Sequence, residues 1–326
     1  MLRERRVRQF ARIGVVGVGS GGLTALNHVL SKNVLGVDCI AIDTDPETLR
    51  NAAGATAVHV TRRRRSLPSS LPESSRERLA DALSGTDIVF LLAGLGGQTG
   101  TELTPLVADV AREQGALAVA AVTLPFSFEG PRRAHVAKRG LANLRERVNT
   151  LIAIPNDSLL EMAGGEVAFH ETFQLTDDIW YQSIRGIYDL VNVPGLVNVD
   201  FADVRTIMSM GGPSIITRGR GQGDDRAKIA AEQATRSPLL DVTIDGARGV
   251  LFNITGGADM TLHEVRQAAA VIRERIQPDA SFIFGAAVDA NRGAEVVVTL
   301  VATGCGYALA DLMPSDRLVQ RRVAAV

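Results

Sequence analysis

Short apolar runs alternate with stretches of helical spacing over the first two-fifths of the chain. Ile13–Val18, Asp38–Ile42, Ile88–Leu92, Leu117–Val122 and Thr150–Ile154 each read as a strand closed by a polar or glycine-rich turn. Between them, Thr104–Gln114 and Arg132–Val148 carry the three-and-four spacing of helices. This alternation predicts a doubly wound parallel sheet, an α/β fold whose ligands sit at the carboxyl ends of the strands. Near residue 171 the period changes. Phe173, Trp180, Ile184, Ile187, Tyr188 and Val191 fall on one face of a long amphipathic helix, which Pro194 and Gly195 stop. Beyond Val199, strands near Gly249–Ile254, Ser281–Ala287 and Glu295–Val301, with a helix over Leu262–Ile276, make a second α+β unit. The expected division is a basic tail at 1–11, a first domain at 12–170, a connecting helix at 171–197, a second domain at 198–306 and a short tail at 307–326.

Composition narrows the class. With 326 residues, 46% of them hydrophobic and 22% charged, the chain has enough material for two domains with cores of their own. Its 35 basic and 36 acidic residues leave a formal net charge of −1, so the overall balance draws it to neither nucleic acid nor an acidic membrane. No run approaches the ~18 apolar residues of a membrane-spanning helix. Residues 1–10 are basic but lack the apolar stretch of a signal peptide, and read as a solvated tail or as an arm for a partner or membrane surface. Cys39 and Cys305 lie far apart and suggest no disulfide framework, which fits a cytoplasmic protein.

The loops after the strands carry the chemistry. Gly17-Val-Gly-Ser-Gly-Gly22 follows the first strand and opens a helix, and Asp43 and Asp45 stand at the end of the next strand. Glycines there let backbone N–H groups approach a phosphate. The same pattern is the dinucleotide fingerprint with its ribose-binding acid. A second loop, Gly94-Leu-Gly-Gly-Gln-Thr-Gly-Thr101, follows Ile88–Leu92 and favours a triphosphate held from two sides. Other strand ends add Glu129, Arg133 and Asn156 to the same rim. Asn198-Val-Asp-Phe-Ala-Asp203 follows the long helix; its carboxylates read either as helix caps or as a pair that orients water. A helix of ~30 Å separates that loop from the phosphate loops, so catalysis by it requires a neighbouring subunit. Arg62–Arg65 reads as a solvated basic loop or a phosphate contact.

Gly-Gly-x-Thr-Gly-Thr after a strand, Asn-x-Asp-Phe-Ala-Asp after a long helix, and Ser237-Pro-Leu-Leu240 with Asp245-Gly-Ala-Arg-Gly249 resemble the cell-division GTPase FtsZ, a tubulin relative. The similarity spans roughly residues 11–305 and includes Phe128-Glu-Gly130, Ile154-Pro-Asn-Asp157, Gly223-Asp-Asp-Arg-Ala227 and Ile254-Thr-Gly-Gly257. The resemblance implies a GTP-binding domain, a central helix and an activation domain, in subunits that stack head to tail as a homopolymer. It leaves room for co-polymerisation with a second FtsZ homologue. By position, Gly21, Gly22, Gly96, Gly97, Gln98, Thr99, Gly100 and Thr101 would contact phosphates of GTP or GDP. Glu129 and Arg133, with Asp43 and Asp45, would lie near ribose and phosphates; Asn156, Phe173 and Asp177 would hold guanine. Asp200 and Asp203, supported by Asn198, would position water across the interface, with Mg²⁺ between the terminal phosphates.

The chain departs from the family pattern in three places. Gln98 and Glu102 stand where the signature has glycines. The loop that senses the γ-phosphate is shortened and replaced by Arg62–Arg65 with prolines, and one of these arginines is expected to pair with Glu102 or with the phosphates. The family's long linker and adaptor-binding peptide are expected to be absent, since Leu312–Val326 offers no substitute. These departures leave two readings, a GTP-hydrolysing filament protein and a polymerising or regulatory homologue with little turnover.

Overall fold

The structure, a computed structural model, describes residues 11–306 apart from 33, 35, 62–69, 164–168 and 238–241; the side chains at 160–163, 169–175, 237 and 242 are also outside the description. The expected tails and the Arg62–Arg65 loop thus lie outside the described residues, Ala11 apart. Six strands form the first sheet: β1 (Ile13–Val18), β2 (Val37–Asp43), β3 (Thr56–His59), β4 (Ile88–Gly94), β5 (Leu117–Leu124) and β6 (Thr150–Pro155). All pairings are parallel and the order is β3-β2-β1-β4-β5-β6, so the chain reverses direction across the sheet between β1 and β4. The connections are α1 (Gly19–Ser31), α2 (Pro46–Arg50), α3 (Glu73–Ala82), α4 (Gln98–Glu113) and α5 (Pro131–Arg145), followed by α6 (Asn156–Ala163).

The alternation within each strand sends side chains to two cores. Val16, Val18, Ile40, Leu91 and Val122 pack with Leu79, Val107 and Leu141 from α3, α4 and α5. Ile13, Val15, Phe90 and Val119 face the other way, onto Leu23 and Leu26 of α1 and Trp180, Ile184 and Ile187 of α7 (Phe169–Asn192). That second core runs on into Phe252 and Leu300, so α7 is buried between two sheets as one continuous apolar mass. The second sheet follows α8 (Phe201–Met208). Its elements are β7 (Ser214–Gly221), α9 (Arg226–Ala234), a ribbon of β8 (Arg236–Ser237) with β9 (Val242–Thr243), then β10 (Gly249–Gly256), α10 (Leu262–Arg273), β11 (Ser281–Val288) and β12 (Val296–Thr303). The order is β11-β10-β12-β7, with β10 and β11 parallel and the other pairs antiparallel.

A buried ion pair locks the second unit. Arg226 of α9 donates to Glu264 of α10 (Nε to Oε1, 2.6 Å) and to Asp259 (2.9 Å), while Glu264 also accepts from the Thr261 backbone at 2.7 Å. Arg226 pulls the Glu264 carboxyl down to about 2. A depressed carboxyl pKa stabilises the fold above its unfolded value near 4.5, and that contribution is lost as pH falls toward 2. Glu264→Gln leaves a nearly buried guanidinium short of its counter-charge and is expected to lower stability by about 3 kcal/mol. Urea denaturation near neutral pH checks this. No helix among the described residues is long and apolar enough to cross a membrane.

Candidate functional site

The reversal between β1 and β4 opens a crevice at the carboxyl edge of the first sheet. There the first turns of α1 and α4 converge. Their N-caps, Val18 and Gly97, supply no side-chain hydrogen bond, so neither helix N-terminus is closed by a cap side chain, the arrangement that suits an anion. Glycine is required where backbones touch. A Cβ on Gly22 would overlap the Leu92 carbonyl oxygen and one on Gly100 the Gly94 carbonyl oxygen, which seats both helices directly on β4. Gly97 differs: nothing lies within 4 Å of where its Cβ would be, so this position faces open space.

The crevice is a cavity of about 290 Å³. Of the residues expected from sequence, it brings together Gly21, Gly97, Gln98, Thr99, Gly100, Glu129, Arg133 and Asn156. Ser20, Gly94 and Thr123 also line it and were not singled out from sequence. Ser20 lies inside the first glycine motif, and Thr123 is the last residue but one of β5, the strand next to β4, so motif and strand order together contained the signal. Glu129 holds two partners at the rim, accepting from the Phe126 N–H at 2.8 Å and pairing with Arg133 at 2.6 Å. Asn156 is buried, and its Oδ1 has no hydrogen-bond partner among the described residues. A buried unpaired acceptor in a cleft with two helix N-termini uncapped by side chains on the other side fits a ligand that brings its own donors and an anionic group.

Several expected contacts do not line this cavity. Thr101 stands behind the loop, its hydroxyl accepting from the Gly96 N–H at 2.9 Å, and Gly22 is a packing glycine. Asp43 accepts from the backbone of Thr44 (2.6 Å) and Asp45 (3.0 Å). Asp45 caps α2, accepting from the Thr48 hydroxyl and from the Glu47 and Thr48 N–H groups, and the Thr48 hydroxyl, then the Glu47 N–H, hold its carboxyl below the usual range. Both acids shape the turn after β2, because a short carboxylate there satisfies its own backbone first. Asp177 is buried on α7 beside α1 and is not a lining residue; burial pushes its carboxyl up to about 6, against the opposing charge of His28. The Phe173 side chain lies outside the described residues. Glu102 is exposed on α4 and outside the cavity, with no ion pair among the described residues.

The acidic loop lies at the opposite edge. α7 ends where Asn192 donates to the Ala11 carbonyl (3.2 Å), just before β1. Arg205 of α8 reaches the carbonyl of Gly115, just before β5, and Thr150 at the start of β6 donates to the Met208 carbonyl. With all six strands parallel, these contacts fix the loop at the amino edge, while the cavity is at the carboxyl edge. The 24 residues of α7 span about 36 Å. Locally the loop is capped as the sequence allowed: Asp200 accepts from the Asp203 N–H at 2.8 Å and Asn198 from the Gly195 N–H at 2.7 Å. The Asp203 carboxylate itself has no hydrogen bond or ion pair among the described residues.

Residues 12–164 match the profile of the tubulin/FtsZ family GTPase domain, and residues 212–306 that of the FtsZ family C-terminal domain. An FtsZ dimer from M. jannaschii is 37% identical over 90% of this chain and 88% of that chain, with a TM-score of 0.77. The chain belongs to the tubulin/FtsZ family. CetZ from Methanosaeta thermophila shares the fold of this FtsZ-family chain at 20% identity over 97% of this chain and 92% of its own, with a TM-score of 0.75. So does CetZ2 from Haloferax volcanii, solved as a GTPγS-bound protofilament, at 17% identity over 96% and 99% with the same TM-score of 0.75. The cavity of this FtsZ-family chain thus lies in the part matched to the GTPase domain. Thiol chemistry has no place in it: burial pushes Cys39 up to about 11 and Cys305 to about 12, so both stay protonated at neutral pH.

Proposed function

We propose that the protein binds GTP or GDP in the carboxyl-edge cavity and stacks head to tail, the Asn198–Asp203 loop of one subunit completing the GTPase site of the next. One observation carries this reading: the glycine cradle and the free Asp203 carboxylate occupy opposite edges of one parallel sheet. They cannot meet within a subunit, whereas translation along α7 brings them together. In this arrangement the N–H groups of α1 and α4 cradle phosphates, and Gln98 and Thr99 add side-chain polar groups. Arg133, oriented by Glu129, faces the ribose and phosphates. Asn156 offers its unpaired Oδ1 to guanine, Phe173 stacks on the base, and Asp177 accepts from its N–H groups. Asp203 orients or deprotonates the attacking water, while Asp200, tied to the Asp203 backbone, holds the loop.

Among the described residues no group of three or more His, Cys, Asp or Glu side chains is placed to hold a metal. A Mg²⁺ ion would therefore take its ligands chiefly from phosphate oxygens and water, supplying charge neutralisation there. The process served is cell division in the cytoplasm, with this chain or a second homologue as the polymer partner. A second reading, assembly with little turnover, draws on Gln98, which lines the cradle where the family pattern has glycine.

Asp177 gives a pH prediction. It accepts from guanine only when ionised, and burial has raised its pKa to about 6. GTP affinity is expected to fall as pH drops through 6, and Asp177→Asn to lose both affinity and this dependence. Folding has the opposite sign: a raised carboxyl pKa costs stability once ionised, a cost that grows as pH rises from about 4 through 6. Nucleotide titrations on either side of that value check the first. The reading as a whole is tested by GTP hydrolysis against protein concentration. A rate rising faster than linearly near an assembly threshold supports it; strict proportionality, or no hydrolysis with nucleotide-independent filaments, favours the second reading or neither.

A further inference from the structure

A second cavity, of about 430 Å³, opens at the amino edge of the first sheet, where α7 ends and the acidic loop begins. Leu190, Val193, Pro194 and Phe201 give it apolar walls. Its charged lining is acidic, Asp87 and Asp200, and no Lys, Arg or His lines it among the described residues. The arginines beside it in sequence are engaged elsewhere: Arg12 pairs with Asp38 at 2.7 Å, and Arg205 donates to the Gly115 carbonyl at 2.9 Å. Asn192, only 8% exposed, also lines it. Its Nδ2 donates to the Ala11 carbonyl at 3.2 Å, while its Oδ1 has no hydrogen-bond partner among the described residues. A buried acceptor costs free energy until a donor reaches it. Apolar walls, two carboxylates and one unpaired acceptor together call for an apolar group flanked by cations and N–H donors.

The chain supplies that combination at the mouth of the cavity. Arg12 is tied to Asp87 in both directions, its N–H donating to the carboxylate at 2.9 Å and its carbonyl accepting from the Asp87 N–H at 2.9 Å. Ala11, held by Asn192, is itself a lining residue, so the chain enters β1 past this cavity. The ten residues before it, Met-Leu-Arg-Glu-Arg-Arg-Val-Arg-Gln-Phe, carry four arginines against one glutamate and end on an aromatic ring. Arg6, Arg8 and Phe10 recur at every second position, the spacing that puts all three on one face of an extended segment.

We propose that residues 1–10 dock in this cavity as an arm of the same chain. Phe10 packs on Leu190, Pro194 and Phe201, Arg6 and Arg8 meet Asp87 and Asp200, and a donor of the arm satisfies the Asn192 Oδ1. Charge complementarity and direct continuity with Ala11 favour this occupant over a separate molecule. The docked arm abuts Asn198 and Asp200, which line the cavity and belong to the acidic loop. Docking depends on the cavity alone. Only its consequence, that the arm shares the edge on which a next subunit would stack, rests on the proposed function.

Paired cysteines in the full chain, oxidised without nucleotide, test the docking independently of GTP binding and turnover. The native thiols, held protonated by burial, react slowly. Arg8→Cys with Val193→Cys puts one thiol on the arm and one on the cavity wall, where Val193 is 45% exposed. Arg8→Cys with Ser84→Cys puts the second thiol near Arg12 but outside the cavity. The first pair is expected to close within one chain about 10-fold faster than the second. Adding Phe10→Ser to the first pair is expected to remove that advantage. A first pair no faster than the second, or an advantage that survives Phe10→Ser, would overturn the proposal. A bridge that links two chains, at a rate rising with protein concentration, would give the cavity to a second copy and overturn it as well.

Discussion

Gly22→Ala is expected to destabilise the protein by about 3 kcal/mol or more and to abolish nucleotide binding. The added methyl would sit inside the van der Waals envelope of the Leu92 carbonyl, a main-chain atom of the central strand that cannot move aside. Gly17 of β1 holds the same turn from a second strand, its Cβ position being 2.7 Å from the Gly22 carbonyl oxygen. Relief requires α1 to lift from β1 and β4, which removes its N–H groups from the cradle and loosens Leu23 and Leu26 in the core. Gly21→Ala is the control. Its Cβ would meet Gly94 at 3.5 Å, an ordinary contact, so the fold should survive and only ligand binding should suffer. Urea denaturation alongside GTP binding separates the two. Equal stability of both variants would mean that α1 is not seated on β4 as described.

Asp203→Ala is expected to lower GTP turnover by about 100-fold while leaving GTP affinity of the isolated subunit unchanged. The side chain makes no hydrogen bond or ion pair among the described residues, so its loss should cost little stability. It also lies at the far edge of the sheet from the cavity of its own subunit. Asp200→Ala is expected to combine a loss of turnover with a weaker α8, because Asp200 is also that helix's N-cap. A fall in subunit GTP affinity on Asp203→Ala would place the residue in its own cavity and contradict the geometry.

The parallel sheet was legible because its central strands are uninterrupted apolar runs, and the amphipathic period of α7 was equally plain. What escaped was what looks polar or small. β7 ends in Arg218-Gly-Arg-Gly221, which reads as a loop until α9 is seen pressed against those glycines. β3 has four residues and only one fully buried side chain, too little pattern to register. α4 begins at Gln98 rather than near Thr104 because its first turn is built from poor helix formers, whose place there follows from the close approach of Gly100 to β4. At the site, the glycine loops, Glu129, Arg133 and Asn156 share one rim as strand order demanded. Asp43 and Asp45 illustrate the limit. A carboxylate after a strand looks the same in sequence whether it awaits a ribose or closes its own turn, and here it closes the turn.

If one active site is made from two subunits, two variants that are each inactive should complement one another when mixed. Gly97→Phe fills the open space at the cradle without meeting protein atoms at its Cβ, so that subunit should fold, lose nucleotide and keep its acidic loop. Asp203→Ala should keep nucleotide and lose the loop's chemistry. Each alone is expected to be nearly inactive. Combined, they should regain GTP hydrolysis well above the sum of the two, greatest near equal amounts, because the intact loop of one meets the loaded cavity of the other. A mixture no more active than its components would contradict the shared site.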